Sequence, residues 1–216
     1  SSKVFVQEKD LTAPLGIGVL GDVVVVSCSP NVFVYHNVDD KPANKQVLLT
    51  GFGGFDHDHG VHSVTGFLDG RWYFDVGNMG PHEVQDKSGW WLHSGSCYNY
   101  NGSHNSPGRV SDDGRVWTGG LALRVDPNGK HLTPLAFNFR NSFEIGLDSF
   151  GNIWQTDNDD DGNQSCRTSW VMEGGNYGFF SADGTRMWNA DRQPGQSTQS
   201  AHWHQDDPGV IPAQDV

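Results

Sequence analysis

Short apolar runs alternate with tight polar turns along this chain, and one phrase recurs. An alternating apolar run leads into an Asp/Gly or Asn/Gly turn, and a second apolar run follows. The phrase stands at Gly16-Ile-Gly-Val-Leu-Gly-Asp-Val-Val-Val-Val26, at Val64-Thr-Gly-Phe-Leu-Asp-Gly-Arg-Trp-Tyr-Phe-Asp-Val76 and at Ile145-Gly-Leu-Asp-Ser-Phe-Gly-Asn-Ile-Trp154. Period-two alternation on both sides of such a turn predicts a β-hairpin in each unit. A weaker copy, Leu121-Ala-Leu-Arg-Val-Asp-Pro-Asn-Gly-Lys130, predicts the outer strands of an intermediate unit. Gly or Pro interrupts every window long enough to test for amphipathic helical spacing, so almost no helix is expected.

The turn glycines Gly21, Gly70 and Gly151 are separated by one and then two units of roughly 40 to 50 residues, the blade period of a β-propeller. The expected fold is therefore all-β, a β-propeller of four-stranded blades. At that period the chain covers about four to five blades of a larger ring. Residues 1–216 then form a single propeller domain within a longer chain, because an unclosed ring leaves strand edges unpaired. Polar stretches at 78–119 and 156–170 exceed the length of hairpin loops, and loops of that kind on a rigid scaffold are where function gathers.

Composition narrows the partners. Fourteen Lys+Arg against 26 Asp+Glu give a net charge of −12, which excludes a generic phosphate-backbone binder and with it nucleic acid. Apolar runs such as Val23-Val24-Val25-Val26 fall far short of the roughly 20 residues of a membrane-spanning helix. The 28 glycines, 12% aromatic and 19% charged residues fit a turn-rich, strand-rich protein with ample apolar mass to bury. Cys28, Cys97 and Cys166 contain no CxxC pair, so a zinc ribbon and a c-type haem attachment are excluded. One disulfide plus one thiol in an exported protein and three buried thiols both remain open. Ser1 leads directly into the strand-like Lys3-Val4-Phe5-Val6, as expected after removal of a leader or inside a larger protein.

Several clusters carry candidate chemistry. Gly16-Ile-Gly18-Val-Leu-Gly21 spells the GxGxxG of a dinucleotide fingerprint, but a Val-rich strand follows where that fingerprint needs a helix, so nucleotide binding is set aside. Asp56-His57-Asp58-His59-Gly60-Val61-His62 packs three imidazoles and two carboxylates ahead of a repeat strand. In an extended chain His57 and His59 share a face, with His62 close behind. A neutral imidazole beside a carboxylate is a general base near pH 7; a zinc site and an incidental polar loop are the alternatives. Asn138-Phe139-Arg140-Asn141 precedes the Ile145 strand, and the planar guanidinium of Arg140 suits carboxylate or quinone oxygens, or pairs a loop carboxylate. Asp157, Asp159, Asp161 and Gly162 reproduce the first half of a calcium loop, but position twelve is Thr168 rather than Glu, so an EF-hand is rejected. A calcium site of another kind or a solvated acidic turn remains. His202-Trp203-His204 reads as a binding-site wall or an ordinary loop.

Taken together, these segments resemble the soluble quinoprotein glucose dehydrogenase and sorbosone dehydrogenase superfamily, and most closely its PVC-type membrane-bound dehydrogenase propellers. The residues that carry the resemblance are His59 ahead of the run Val64 to Gly77-Asn78, then Asn138-Phe139-Arg140-Asn141, then Asp157 to Asp161, then Gly174-Gly175-Asn176-Tyr177-Gly178. The PVC-type likeness extends to Ser181-Ala-Asp-Gly-Thr and His202-Trp203-His204-Gln205. The resemblance implies a propeller face that holds pyrroloquinoline quinone (PQQ) with calcium (Ca2+) polarising it. His59 aligns with the base that takes the substrate hydroxyl proton, and Arg140 and Asn141 align with cofactor ligands; His62 is placed beside them, and Asp157, Asp159 and Asp161 with the metal.

The function expected from these readings is a quinoprotein-type oxidoreductase acting on sugar or polyol hydroxyl or aldehyde groups, periplasmic or secreted, passing electrons to a cytochrome. Two rivals stand beside it. One is a metal-dependent carbohydrate lyase or hydratase built on His57, His59 and His62. The other is a non-catalytic propeller that binds glycan or protein through Trp90, Trp91, Trp117 and Trp203, since aromatic faces stack on pyranose rings.

Overall fold

The computed structural model describes residues 2–54, 59–95, 109–158 and 166–179. Among these residues the chain is all-β, without a helix. The strands are β1 (Gly16–Leu20), β2 (Val23–Cys28), β3 (Asn31–Val38), β4 (Lys41–Thr50), β5 (Val61–Gly66), β6 (Trp72–Val76), β7 (His82–Gln85), β8 (Trp91–Ser94), β9 (Gly120–Val125), β10 (Thr133–Phe139), β11 (Ile145–Leu147), β12 (Ile153–Asp157), β13 (Arg167–Val171) and β14 (Gly175–Asn176).

Three propeller blades lie among them. The first is the antiparallel meander β1-β2-β3-β4. The second is β5-β6-β9-β10, extended by the short parallel strand β14. The third is β11-β12-β13. The weak repeat copy at 121–130 thus supplies the outer half of the second blade. The polar stretch that interrupts this blade folds in part as a separate hairpin, β7-β8.

Alternation along the strands builds a core on each side of the second blade. On β6, Trp72, Phe74 and Val76 turn toward the first blade and join Val25, Leu49, Phe52 and Val61. Tyr73 turns the other way, toward Ile145 and Val171 of the third blade. Gly16 and Gly18 allow β1 to lie against β5: a Cβ on Gly16 would stand 2.5 Å from the His62 carbonyl oxygen, and one on Gly18 2.6 Å from that of Val64. The GxGxxG spelling therefore serves close approach of two strands. Residues 2–15 cover the first blade with Phe5, Val6 and Leu11, held by Lys45 on Glu8 and Asp10.

Five turns repeat one hydrogen-bond pattern. In 67–71, 86–90, 111–115, 126–130 and 148–152 the first residue donates to the carbonyl of the fifth at 2.9–3.1 Å, and the fourth donates back to the first at 2.8–3.0 Å. The fourth residue is always glycine, with φ from 77° to 96° at Gly70, Gly89, Gly114, Gly129 and Gly151, a conformation costly for any residue with a Cβ. An Asp or Asn carboxyl or amide oxygen caps each turn, as Asp148 Oδ1 does for Phe150 and Asn152. Strand direction places the turns after β5, β9 and β11 at one end of the blades. The segments that enter β5 and β11 and leave β6 and β12 gather at the other.

Candidate active site

At this second end, long-range contacts join segments far apart in sequence. His82, which opens β7, accepts the Gly53 amide at Nδ1 (3.0 Å) and donates from Nε2 to the Gly77 carbonyl (2.8 Å). Burial, helped by the nearby His62, pulls its pKa down to about 4 against the Gly77 hydrogen bond, so the ring is neutral and acts as a staple. Gly77 in turn donates to Gly60, and the Asn78 amide donates to the Arg140 carbonyl, both at 2.8 Å. The 59–60, 77–78 and 140–141 segments are thereby fixed to one another.

His59 is buried, and its Nδ1 lies 2.6 Å from Asn78 Oδ1. An amide oxygen only accepts, so Nδ1 carries the proton and Nε2 is the basic position of the neutral ring. Gly77 makes this geometry possible, because a Cβ there would lie 2.5 Å from Asn141 Oδ1 and 2.7 Å from His59 Cα.

Asn141 is fully buried. Neither its Oδ1 nor its Nδ2 has a partner, an arrangement that costs stability unless a ligand or water completes it. Its backbone is held by Asp157, whose Oδ1 accepts the Asn141 amide (2.8 Å) and whose Oδ2 accepts that of Arg140 (3.1 Å). Arg167, opposite Asp157 in the β12–β13 register, pairs with Oδ2 at 3.2 Å. Burial pushes the Asp157 carboxyl above its usual range, against the pull of Arg167, and lowers Arg167 to about 10.

Of the histidine cluster, His59 and His62 are described, and their Nδ1 atoms face different partners. His62 is buried, donates from Nδ1 to the Ser142 carbonyl and stacks on Phe143 with centroids 4.3 Å apart, whereas His59 turns to Asn78. His57, Asp159, Asp161, Cys97, Trp203 and His204 lie outside the described residues. Among the described residues no group of three His, Cys, Asp or Glu side chains forms a metal centre. Asp157 does not fit as a calcium ligand, since two backbone amides and the Arg167 guanidinium already bind its oxygens and the guanidinium charge opposes a second cation there. The buried amide of Asn141, with no partner for its Oδ1 or Nδ2, has hydrogen-bonding capacity that the polar groups of a quinone would satisfy.

A cavity of about 630 Å³ lies beside the first strands of the blades, lined among others by Gly16, Ile17, Ser63, Thr65, Glu144 and Ile145. His59 is not part of its lining. Behind Ser63 the fully buried Asp75 accepts the serine hydroxyl at 3.3 Å, and burial holds its carboxyl well above the usual range. Of the tryptophans considered for stacking, Trp117 is a core residue set edge-on against Phe137, and Trp91 stacks on His93. Cys28 is a buried thiol that donates to the Asp10 carbonyl, and Cys166 is an exposed one.

Sequence reasoning gave Asn78 no role and missed His82 and Arg167. The signal for Asn78 was its place at the end of an apolar strand. Arg167 becomes visible only once 153–157 and 167–171 are paired.

Residues 1–206 match the family described as Domain of unknown function (DUF7133). The chain belongs to that family. No curated protein matches this DUF7133 chain. Among solved structures, the holo form of the pyranose dehydrogenase PQQ domain from Coprinopsis cinerea is 19% identical with a TM-score of 0.48, over 78% of this chain and 39% of that one. The PQQ-bound aldose sugar dehydrogenase from Streptomyces coelicolor is 14% identical with a TM-score of 0.39, over 85% and 68%. A glucose dehydrogenase is 13% identical with a TM-score of 0.40, over 87% and 71%. The DUF7133 chain thus spans about two fifths of the first of these structures.

Proposed function

We propose that this end of the propeller is the proton-abstracting and cofactor-holding face of a quinoprotein-type oxidoreductase that oxidises hydroxyl or aldehyde groups of a sugar or polyol. The observation that carries the reading is the junction of His59, its tautomer set by Asn78, with the unpartnered buried amide of Asn141 across Gly77. A base with a defined tautomer and an unsatisfied buried amide thus stand on segments packed against each other at Gly77. The sequence resemblance supports the same pair of roles.

In this mechanism His59 Nε2 takes the substrate hydroxyl proton while the adjacent C–H bond breaks, its two electrons leaving as hydride and a carbonyl forming. PQQ, when bound, supplies the acceptor for that hydride. Asn141 and Arg140 would hold the cofactor, and the Asp157 carboxylate keeps their backbone turn in place. Asn78 keeps Nδ1–H of His59 pointed away from substrate before and after proton transfer. A periplasmic or secreted setting and a cytochrome acceptor belong to the proposal through the resemblance. Among the described residues no helix is long and apolar enough to cross a membrane. Among the described residues nothing adds support to the lyase alternative, and His57, on which it also rests, lies outside them.

The test is titration of the full chain with PQQ, followed by the quinone absorbance, for the wild type, Asn141→Ala and Arg140→Ala. Saturable binding weakened in both variants, with aldose-dependent reduction of an artificial acceptor, supports the reading. Absence of quinone binding to the folded chain overturns it.

A further inference from the structure

The run Asp157 to Asp161 spells a cation loop, yet Asp157 already faces a cation of the chain's own. Asp157 ends β12 and Arg167 opens β13, directly opposite in the antiparallel register. The carboxylate is fully buried, and the Arg167 side chain is about one fifth exposed. Three donors converge on the two oxygens: the Asn141 amide at 2.8 Å on Oδ1, and the Arg140 amide at 3.1 Å and Arg167 Nη2 at 3.2 Å on Oδ2. The guanidinium also lies 5.7 Å from the centroid of Phe139 and 5.5 Å from that of Tyr177, two rings stacked 4.3 Å apart.

We propose that Arg167 is the resident cation of this end of the protein, supplying at Asp157 the positive charge that the acidic run assigns to calcium. Through Asp157 it fixes the turn that presents Asn141, and is therefore a positioning residue. Two physical arguments support this. A carboxylate removed from water needs a compensating charge, and a guanidinium held in register with aromatic contacts provides one with little loss of side-chain freedom. Calcium collects about six to eight oxygen ligands and is repelled by a neighbouring cation. At Asp157 two backbone amides and a guanidinium are already in place, and the Arg167 charge 3.2 Å from Oδ2 opposes a second cation there. The inference concerns the resting protein and stands whether or not a quinone binds.

The experiment compares the full-length wild type, Arg167→Met, Arg167→Lys, Asp157→Asn and the double variant Arg167→Met/Asp157→Asn in thermal melts with chelator and with calcium, and measures calcium binding calorimetrically. The wild type is expected to melt at the same temperature in both media. Arg167→Met should melt roughly 10 °C lower, with Arg167→Lys between, and the double variant should recover part of the loss because no buried charge is left unpaired. The backbone amide resonance of Asn141 should move in Arg167→Met while those of Gly70 and Gly129 stay. If Arg167→Met does not fold, a folded double variant still supports the pairing. Calcium binding that disappears in Asp157→Asn, or a wild-type melt that falls on chelation while Arg167→Met melts like the wild type, overturns the inference.

Discussion

The two ends of the blades are built on opposite principles. At the turn end, every closing hydrogen bond of turns 67–71, 126–130 and 148–152 lies within five consecutive residues. At the other end the bonds that matter join His59 to Asn78, Asn78 to Arg140, Asn141 to Asp157 and His62 to Ser142. The first kind is complete within one turn; the second joins residues 16 to 80 positions apart and exists only once the strands that carry them are paired and, for His62 and Ser142, the blades packed. A repeat whose turns are satisfied locally leaves its other end without that constraint, and there side chains can be spent on chemistry.

The largest expected effect comes from removing the base. His59→Ala should lower the proposed oxidation by about 10²- to 10⁴-fold, measured with an artificial electron acceptor, with a fall in melting temperature of a few degrees from the lost buried bond to Asn78. A variant that keeps wild-type turnover would show that the site end is structural, and the contrast between the ends would collapse. Next is Gly77→Ala. Its new methyl would meet Asn141 Oδ1 and the His59 backbone at 2.5–2.7 Å, so a loss of about 3 kcal/mol of stability is expected, together with weakened quinone binding. Chemical denaturation measures the first and the PQQ titration the second.

How much of this was legible depends on the range of the bonds. The recurring run-turn-run phrase predicted the blades because each turn carries its own glycine and capping carboxyl, and β9-β10 followed from Asn128-Gly129 in the same way. His59 was singled out by the density of imidazoles ahead of Val64 and, with Arg140 and Asn141, by the resemblance; all three stand before the first strands of blades, where the chain enters from the site end. Asp157 was found for its charge, but its partner was not: Arg167 stands ten residues on and meets it only through strand register. His82 was not singled out, since its work is to join Gly53 to Gly77, and nothing local records that. Trp117 was considered as a sugar platform, and tertiary packing buried it.

A third, smaller effect is acid sensitivity centred on the site end. His82 titrates near 4 in the folded chain and near the ordinary 6.5 when unfolded, so the unfolded state binds the proton first. Its contribution is complete above about pH 6.5 and is lost as pH falls toward 4, amounting to about 2 kcal/mol at pH 5. Melting temperature followed from pH 7.5 to 4.5 should fall accordingly, and His82→Gln, though less stable at neutral pH, should show a flatter profile. Equal slopes for the two proteins would assign the acid transition to other groups.

The smallest effect separates the ends most cleanly, because it repeats the Gly77 substitution where space is available. A Cβ on Gly70 meets nothing within 4 Å, and the cost of Gly70→Ala is that of its φ of 78° alone, about 1 to 2 kcal/mol. Quinone binding and turnover should be unchanged, since the Phe67–Arg71 turn closes on itself and sends no bond to the site. Gly70→Asn should recover part of the loss, asparagine accepting a positive φ more readily than alanine. If Gly70→Ala impaired quinone binding as Gly77→Ala does, the ends would be coupled through the strands, and the turn end would be a functional element in its own right.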